Sequence, residues 1–303
     1  MKKQVYTGIA NASGALAIDY QHFIVADDED NQLRIYKRDI SDNPLQIISL
    51  KDIFAGEILD GEKLEIDLEG AALVDDAYFW IGSHSTSRKG NPRPARHRLF
   101  ALHIEPDGSG LFSVSRCGST YIDLIADLSQ DSRFKNIEFA KAAVIPPKAI
   151  GGLSIEGLAA TPDKGLLIGF RNPLVNGKAI VIPLMNPFDV VAGKKPEFGD
   201  SIELDLDGYG IRDIVWRKKQ QYLIVAGPYH GNNGSDNQKL QKNKLYLWSS
   251  QSGRLKVLKK IDLKTFNIEA AFFYPEQDDF VQLLSDDGKQ GLQLGFRSLW
   301  LKI

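Results

Sequence analysis

One pattern recurs five times along the 303 residues, and its spacing constrains the fold more than any other feature of the chain. Each copy has a small or acidic pair, an apolar run, a polar turn, and a second apolar run that ends in polar residues. The copies read SGALAIDYQHFIVADDED from Ser13, EGAALVDDAYFWIGSHS from Glu69, EGLAATPDKGLLIGFRNP from Glu156, RDIVWRKKQQYLIVAGPYH from Arg212 and EAAFFYPEQDDFVQLLSDDG from Glu269. Their starts lie 56, 87, 56 and 57 residues apart. A third run with strand-like alternation follows in every copy, as QLRIYK, HRLFALHI, KAIVIPL, NKLYLW and RSLWLKI. A fourth (LQIISL, LFSVSR, SIELDL, LKVLKKIDL) follows in all but the last, which ends with the chain at Ile303.

Four strands per unit of about 56 residues, repeated radially, is the arithmetic of an all-β, β-propeller fold with five four-stranded blades. The strand missing from the fifth copy is supplied if the N-terminal KKQVYTGI pairs there, which closes the ring and removes two exposed sheet edges. The surplus in the 87-residue spacing falls at residues 122–152, where IDLIADLSQDSRF and NIEFAKAAVI have helix-like apolar spacing before Pro146-Pro147. A helical insert is therefore expected, with a degenerate sixth blade as the competing reading. No linker-like stretch divides residues 1–303, which read as a single propeller domain.

Lys plus Arg number 37 against 39 Asp plus Glu, so the formal net charge of −2 provides no global attraction to nucleic acid or to an anionic membrane. Neither is expected as a partner, and oligomeric state is open. Two lysines near the start precede no apolar run of leader length, and no segment approaches eighteen consecutive apolar residues, so a cytoplasmic location is expected. Cys117 is the only cysteine, expected as a small buried apolar residue.

The first strand of each propeller blade lines the central channel. Ser13, Glu69, Glu156, Arg212 and Glu269 should thus form a ring, with Asp213 beside it. Structurally, the carboxylates would accept backbone hydrogen bonds while Arg212 neutralises them. Functionally, Glu69, Glu156 and Glu269 would hold a hard divalent cation such as calcium or magnesium, or one would act as general base. The second strands end in polar groups: Asp27 and Asp28, Ser83 and His84, Arg171 and Asn172, Tyr229 and His230, Asp286 and Asp287. Asp and Asn there are explained equally well by turn formation, whereas His84 and Arg171 are not preferred turn residues. The stretch STSRKGNPRPARHR, residues 85–98, adds a basic excursion that reads either as a solvated loop or as an anion-binding element. A nucleophile elbow, a P-loop and an HExxH motif are all absent, and GNNGSDNQK from Gly231 resembles a calcium loop in composition only.

The ordered blocks NASGA, VADDEDN, LEGAA, WIGSH, RHRLFA, IEGLA, LLIGFRNP, GIRDI and AGP resemble an uncharacterised bacterial propeller family, a domain of unknown function. The resemblance implies a propeller and little about activity. More remotely, the channel-facing EG pairs are similar to esterase-like phytase propellers and to metal-dependent lactonase propellers. From the residues, the expected activity is metal-assisted hydrolysis of a phosphoester or other ester of a small anionic substrate. Glu156, His84 and Arg171 would be its catalytic groups, and Asp27, Asp28, Asn172, Arg212, Asp213, His230 and Asp286 would contact the ligand. The alternative is a non-catalytic propeller that binds a ligand or a protein.

Overall fold

The computed structural model describes residues 3–9, 11–40, 43–55, 65–229, 243–258, 266–286 and 295–303. Five four-stranded antiparallel sheets form the blades of a propeller. A strand β1 (Lys3–Thr7) precedes blade one, which comprises β2 (Ala12–Ala17), β3 (His22–Asp27), β4 (Gln32–Lys37) and β5 (Gln46–Ser49) and is followed by a helical turn, α1 (Leu50–Ile53). Blade two is β6 (Leu68–Val74), β7 (Ala77–Gly82), β8 (Leu99–Pro106) and β9 (Phe112–Tyr121). The expected insert follows, as α2 (Leu124–Gln130), a 3-10 segment Ser132–Ile137 and α3 (Phe139–Ala142). It contributes no strand, so there is no sixth blade at residues 122–152.

Blade three is β10 (Ser154–Ala160), β11 (Leu166–Asn172), β12 (Ala179–Leu184) and β13 (Ile202–Leu204), with α4 (Pro187–Val191) inside its outer connection. Blade four is β14 (Gly210–Lys218), β15 (Gln221–Gly227), β16 (Lys244–Ser249) and β17 (Leu255–Val257). Blade five takes β18 (Ile268–Phe273), β19 (Phe280–Ser285) and β20 (Gly295–Lys302), and its outer strand is β1. The inner strands β2, β6, β10, β14 and β18 stand side by side around the axis, with β18 back against β2.

These strands read as nearly unbroken apolar runs because each blade is covered on both faces. All six residues of β7, AYFWIG, are buried. Five apolar clusters result, one between each pair of neighbouring blades, and the insert thickens the one between blades two and three with Leu124, Leu128, Phe134, Ile137 and Phe139. Closure works through β1. It pairs with β20 in the register Tyr6↔Phe296, and the fully buried Tyr6 ring stacks on Phe296 at 5.3 Å. The same ring meets Phe23 and Tyr36 of blade one edge-on, at 5.1 and 5.4 Å, so one side chain joins the first blade to the last. Cys117, expected to be buried, lies on the outer strand β9 and is only partly covered.

Candidate functional site: a charged cavity at the propeller mouth

The ring residues owe their orientation to a repeated irregularity. In every blade the pairing of the first strand with the second slips where the ring residue sits. Glu69 falls between the pairs Leu68↔Gly82 and Gly70↔Ile81. Glu156 falls between Ile155↔Phe170 and Gly157↔Gly169, Arg212 between Ile211↔Ala226 and Asp213↔Val225, and Glu269 between Ile268↔Ser285 and Ala270↔Leu284. In blade one Ser13 and Gly14 share the slip. A bulge leaves its extra residue outside the ladder and redirects the side chain, here toward the axis. The glycine that follows in blades two and three has a separate cause. A Cβ on Gly70 would lie 2.9 Å from Leu158 Cβ, and one on Gly157 would lie 2.8 Å from Ile214 Cγ2, so the inner strands pack too closely for a side chain.

Around these bulges lies a cavity of about 650 Å³. Its floor is an ion network across three blades. Glu156, with a side chain only 4% exposed, has Oε1 at 2.5 Å from Arg171 Nη1 and Oε2 at 3.1 Å from Arg212 Nε. Arg212 also pairs with Glu269, which accepts a hydrogen bond from Asn267 Nδ2 at 2.9 Å. Arg171 Nε donates to Pro228 O at 3.1 Å, tying blade three to the connection after β15.

One wall is acidic. Asp28, Asp67, Glu69 and Asp286 line it, from blades one, two and five. Burial first, then the charges of Asp67, Asp27, Asp286 and Glu29, push the Asp28 carboxyl up to about 8. Glu69 is held well above the usual carboxylate range by burial, then by Glu156, Asp67 and Asp28, with Arg212 opposing. No hydrogen bond or ion pair engages Glu69 among the described residues. Asp67 is raised by burial, against the pull of Arg96 at 2.8 Å and of the Ser83 hydroxyl. Arg96 is further held by Glu65 at 2.5 Å and by Ser85 Oγ at 2.8 Å, so its charge is taken up by Asp67 and Glu65.

Two further lining residues are basic. Arg88, from the loop after β7, and Lys148, from the end of the insert, line the cavity and have no carboxylate partner among the described residues. Partial desolvation, then Arg171, Arg88 and Arg212, hold the Lys148 ammonium below the ordinary lysine range. Both residues remain open to water, which screens these effects. Lys148 is placed by Asn172. The Asn172 side chain, fully buried at the end of β11, donates through Nδ2 to Pro147 O at 3.0 Å and Ala149 O at 2.7 Å, fixing the backbone on either side of the lysine.

Of the residues singled out in the sequence, Glu69, Glu156, Glu269, Arg171, Arg212, Asp28 and Asp286 share this cavity, with Ser13. Four others take structural positions. His84 does not reach the cavity: it is fully buried, its Nδ1 lies 2.9 Å from Gly82 O and its ring is 5.5 Å from that of His97. Burial and then His97 bring its imidazole down to about 3, so it is neutral at ordinary pH and holds the loop after β7. Asp27 accepts a hydrogen bond from Glu29 N at 2.8 Å, the turn role open to it, and burial pushes it up to about 6. Asp213 accepts from Ile214 N and Ala271 N, and Asn172 anchors the insert as described. His230, Asp287 and the loop from Gly231 lie outside the described residues.

The expected cation set Glu69, Glu156 and Glu269 does not fit a metal. Glu156 and Glu269 are turned onto Arg212, and among the described residues no three His, Cys, Asp or Glu side chains converge as ligands. Asp67 and Lys148 are among the cavity residues that sequence reasoning missed, with Glu65, Asn11, Asn243 and Asn267. Asp67 stands two residues before Glu69, a visible signal, whereas Lys148 carries none because only the folding of the insert brings it to the rim.

The molecule is thus a five-bladed propeller with a charged cavity where its inner strands begin. The chain belongs to the family described as protein of unknown function DUF3616, which it matches over residues 11–103 and 116–243. No curated protein matches it. Among solved structures, the chain is similar in fold to a glutaminyl cyclase from Myxococcus xanthus, at 10% identity over 99% of this chain and 95% of that one, with a TM-score of 0.45. It is similar to a putative oxidoreductase (glucose dehydrogenase) from Thermus thermophilus, at 13% identity over 98% and 100%, TM-score 0.46. It is also similar to the PQQ-bound aldose sugar dehydrogenase from Streptomyces coelicolor, at 11% identity over 99% and 98%, TM-score 0.47. Likeness at this level concerns fold alone.

Proposed function

We propose that the cavity binds a small anionic ligand, held at the rim by Lys148 and Arg88 and reaching down to Arg171. The observation that carries this reading is the contrast among the basic side chains of the lining. Arg96, Arg171 and Arg212 are each paired with carboxylates, while Lys148 and Arg88 face the cavity with none among the described residues. An anion bound there gains charge-assisted hydrogen bonds without breaking an ion pair. The volume suits a ligand of metabolite size.

A second reading, hydrolysis of an ester of such an anion, is supported by Asp28. A carboxyl pushed up to about 8 keeps its proton at neutral pH and can serve as a general acid. Because the carboxylates of the floor do not form a chelating set, this chemistry is assigned no metal. The test is calorimetric titration with inorganic phosphate and small carboxylates, for the parent protein and for Lys148→Met and Arg88→Ala, beside an assay of phosphoesters and lactones. Binding that weakens several-fold in both variants is the expected result, and undiminished binding in both overturns the assignment. Turnover that Asp28→Asn abolishes supports the hydrolase reading; the absence of any turnover leaves a binding protein.

A further inference from the structure

Two loops meet beside the cavity and carry positive charge without its opposite. Neither residues 83–104, which include the loop after β7, nor residues 139–155, which include the end of the insert, contain Asp or Glu. Arg88, Lys89 and Lys148 are exposed on these loops and have no carboxylate partner among the described residues. The loops touch: Thr86 Oγ1 donates to Ile145 O at 3.4 Å, Gly90 lies against Pro146, and the charge of Arg88 is felt at Lys148.

Two aliphatic side chains flank this charge. Val144 and Ile150 are 70% and 79% exposed, four residues before Lys148 and two after it. The backbone beneath them is fixed. Ala149 N donates to Pro146 O at 2.9 Å and Gly152 N to Ala149 O at 3.0 Å, while Asn172 holds the carbonyls on either side of Lys148. An aliphatic pair held in water on such a backbone adds nothing to the core, and a partner that covers it loses little entropy by ordering it.

The cations set the sign of that partner, and their placement sets its class. Lys148 and Arg88 line the cavity, so part of the positive charge faces inward, where a peptide side chain reaches and a flat lipid surface does not. Nucleic acid finds no ring on which to stack a base, because residues 85–98 and 143–152 contain no Phe, Tyr or Trp. We infer that these two loops form a docking surface for an acidic peptide segment of a partner protein, whose carboxylates pair with Arg88, Lys89 and Lys148 and whose aliphatic side chains cover Val144 and Ile150. The surface shares two cations with the anion-binding reading above, but its apolar half does not depend on that reading.

Panning a random dodecapeptide display library on the immobilised parent protein should enrich sequences that combine Asp or Glu with Leu, Ile or Val. A fluorescent copy of an enriched peptide should bind the double variant Val144→Ser/Ile150→Ser, and separately Lys89→Glu, about fivefold or more weakly than the parent protein. Inorganic phosphate should bind the double serine variant as it binds the parent. Enrichment of no sequence class, enrichment of peptides lacking acidic or aliphatic residues, or undiminished peptide binding by either variant overturns the inference. Sedimentation of the protein with phosphatidylserine vesicles, without any peptide enrichment, overturns it in favour of lipid. Peptide binding without phosphate binding overturns the anion reading alone, and phosphate binding without peptide enrichment overturns this inference alone. The panning uses the parent protein, so it decides the matter even if a variant does not fold.

Discussion

The buried carboxyl of Asp213 accepts a hydrogen bond from the backbone N–H of Ala271 at 2.7 Å, bolting the inner strand of blade four to that of blade five. Its other oxygen accepts from Ile214 N at 2.8 Å. Asp213→Ala leaves both amides unsatisfied and should lower unfolding free energy by about 2 kcal/mol or more. Asp213→Asn keeps one acceptor and should lose about half as much. Urea unfolding of the two variants checks the order, and equal losses would show that the acceptor is immaterial.

Removal of the Arg212 side chain strips the counter-charge from Glu156 and Glu269 together. Arg212→Ala is expected to destabilise the fold by about 3 kcal/mol, because a buried charge left unpaired costs more than the pair contributed. Chemical denaturation measures it. A loss below about 0.5 kcal/mol would mean that water already satisfies the floor.

The acidic wall makes stability depend on pH in an unusual direction. Asp28 is raised from 3.8 to about 8, and Glu69 and Asp67 are raised as well. Between about pH 4 and pH 8 this wall therefore holds protons that the unfolded chain has released, and its contribution to stability falls as pH rises, opposed below about 6.5 by the lowered imidazole of His84 and unopposed by it above. Above about 8 this contribution is fully lost. Thermal midpoints across pH 6.5 to 8 should show the decline, and Asp28→Asn should flatten it; an unchanged slope would place the titrating group elsewhere.

Tyr6 is the side chain on which ring closure depends most. Tyr6→Ala removes a fully buried ring that touches Phe23, Tyr36 and Phe296, and a loss of about 3 kcal/mol is expected. Deleting β1 altogether also exposes the edge of β20 and should promote association between molecules, visible in sedimentation.

Asn172→Ala frees the carbonyls of Pro147 and Ala149 and so releases the backbone that carries Lys148. Limited proteolysis should then cut within residues 143–152 faster than in the parent protein, and phosphate affinity should fall alongside. Faster cutting with undiminished phosphate binding would separate the insert from the anion site.

The recurring SG, EG, RD and EA pairs, 56 or 57 residues apart except for the 87 across the insert, determined the number of blades, the position of the ring and the need for the N-terminal strand to close it. That much is local, because strand alternation and repeat length are properties of the chain itself. Which polar residues meet in the cavity was decided only by tertiary structure. Asp27 and Asp28 are adjacent, yet successive positions at a strand end point differently, so one satisfies a turn and the other faces the cavity. His84 and Arg171 both follow their ring residue by fifteen positions, but the equivalent pairs Leu68↔Gly82 and Ile155↔Phe170 put His84 two residues past the pair and Arg171 one, and His84 takes a left-handed φ of 53° with its ring buried outside the cavity. Burial and pairing set the chemistry in the same way. Glu69 and Glu156 read alike in sequence, and only the arrival of two arginines from separate strands makes Glu156 the centre of an ion network while Glu69 stays without a partner among the described residues.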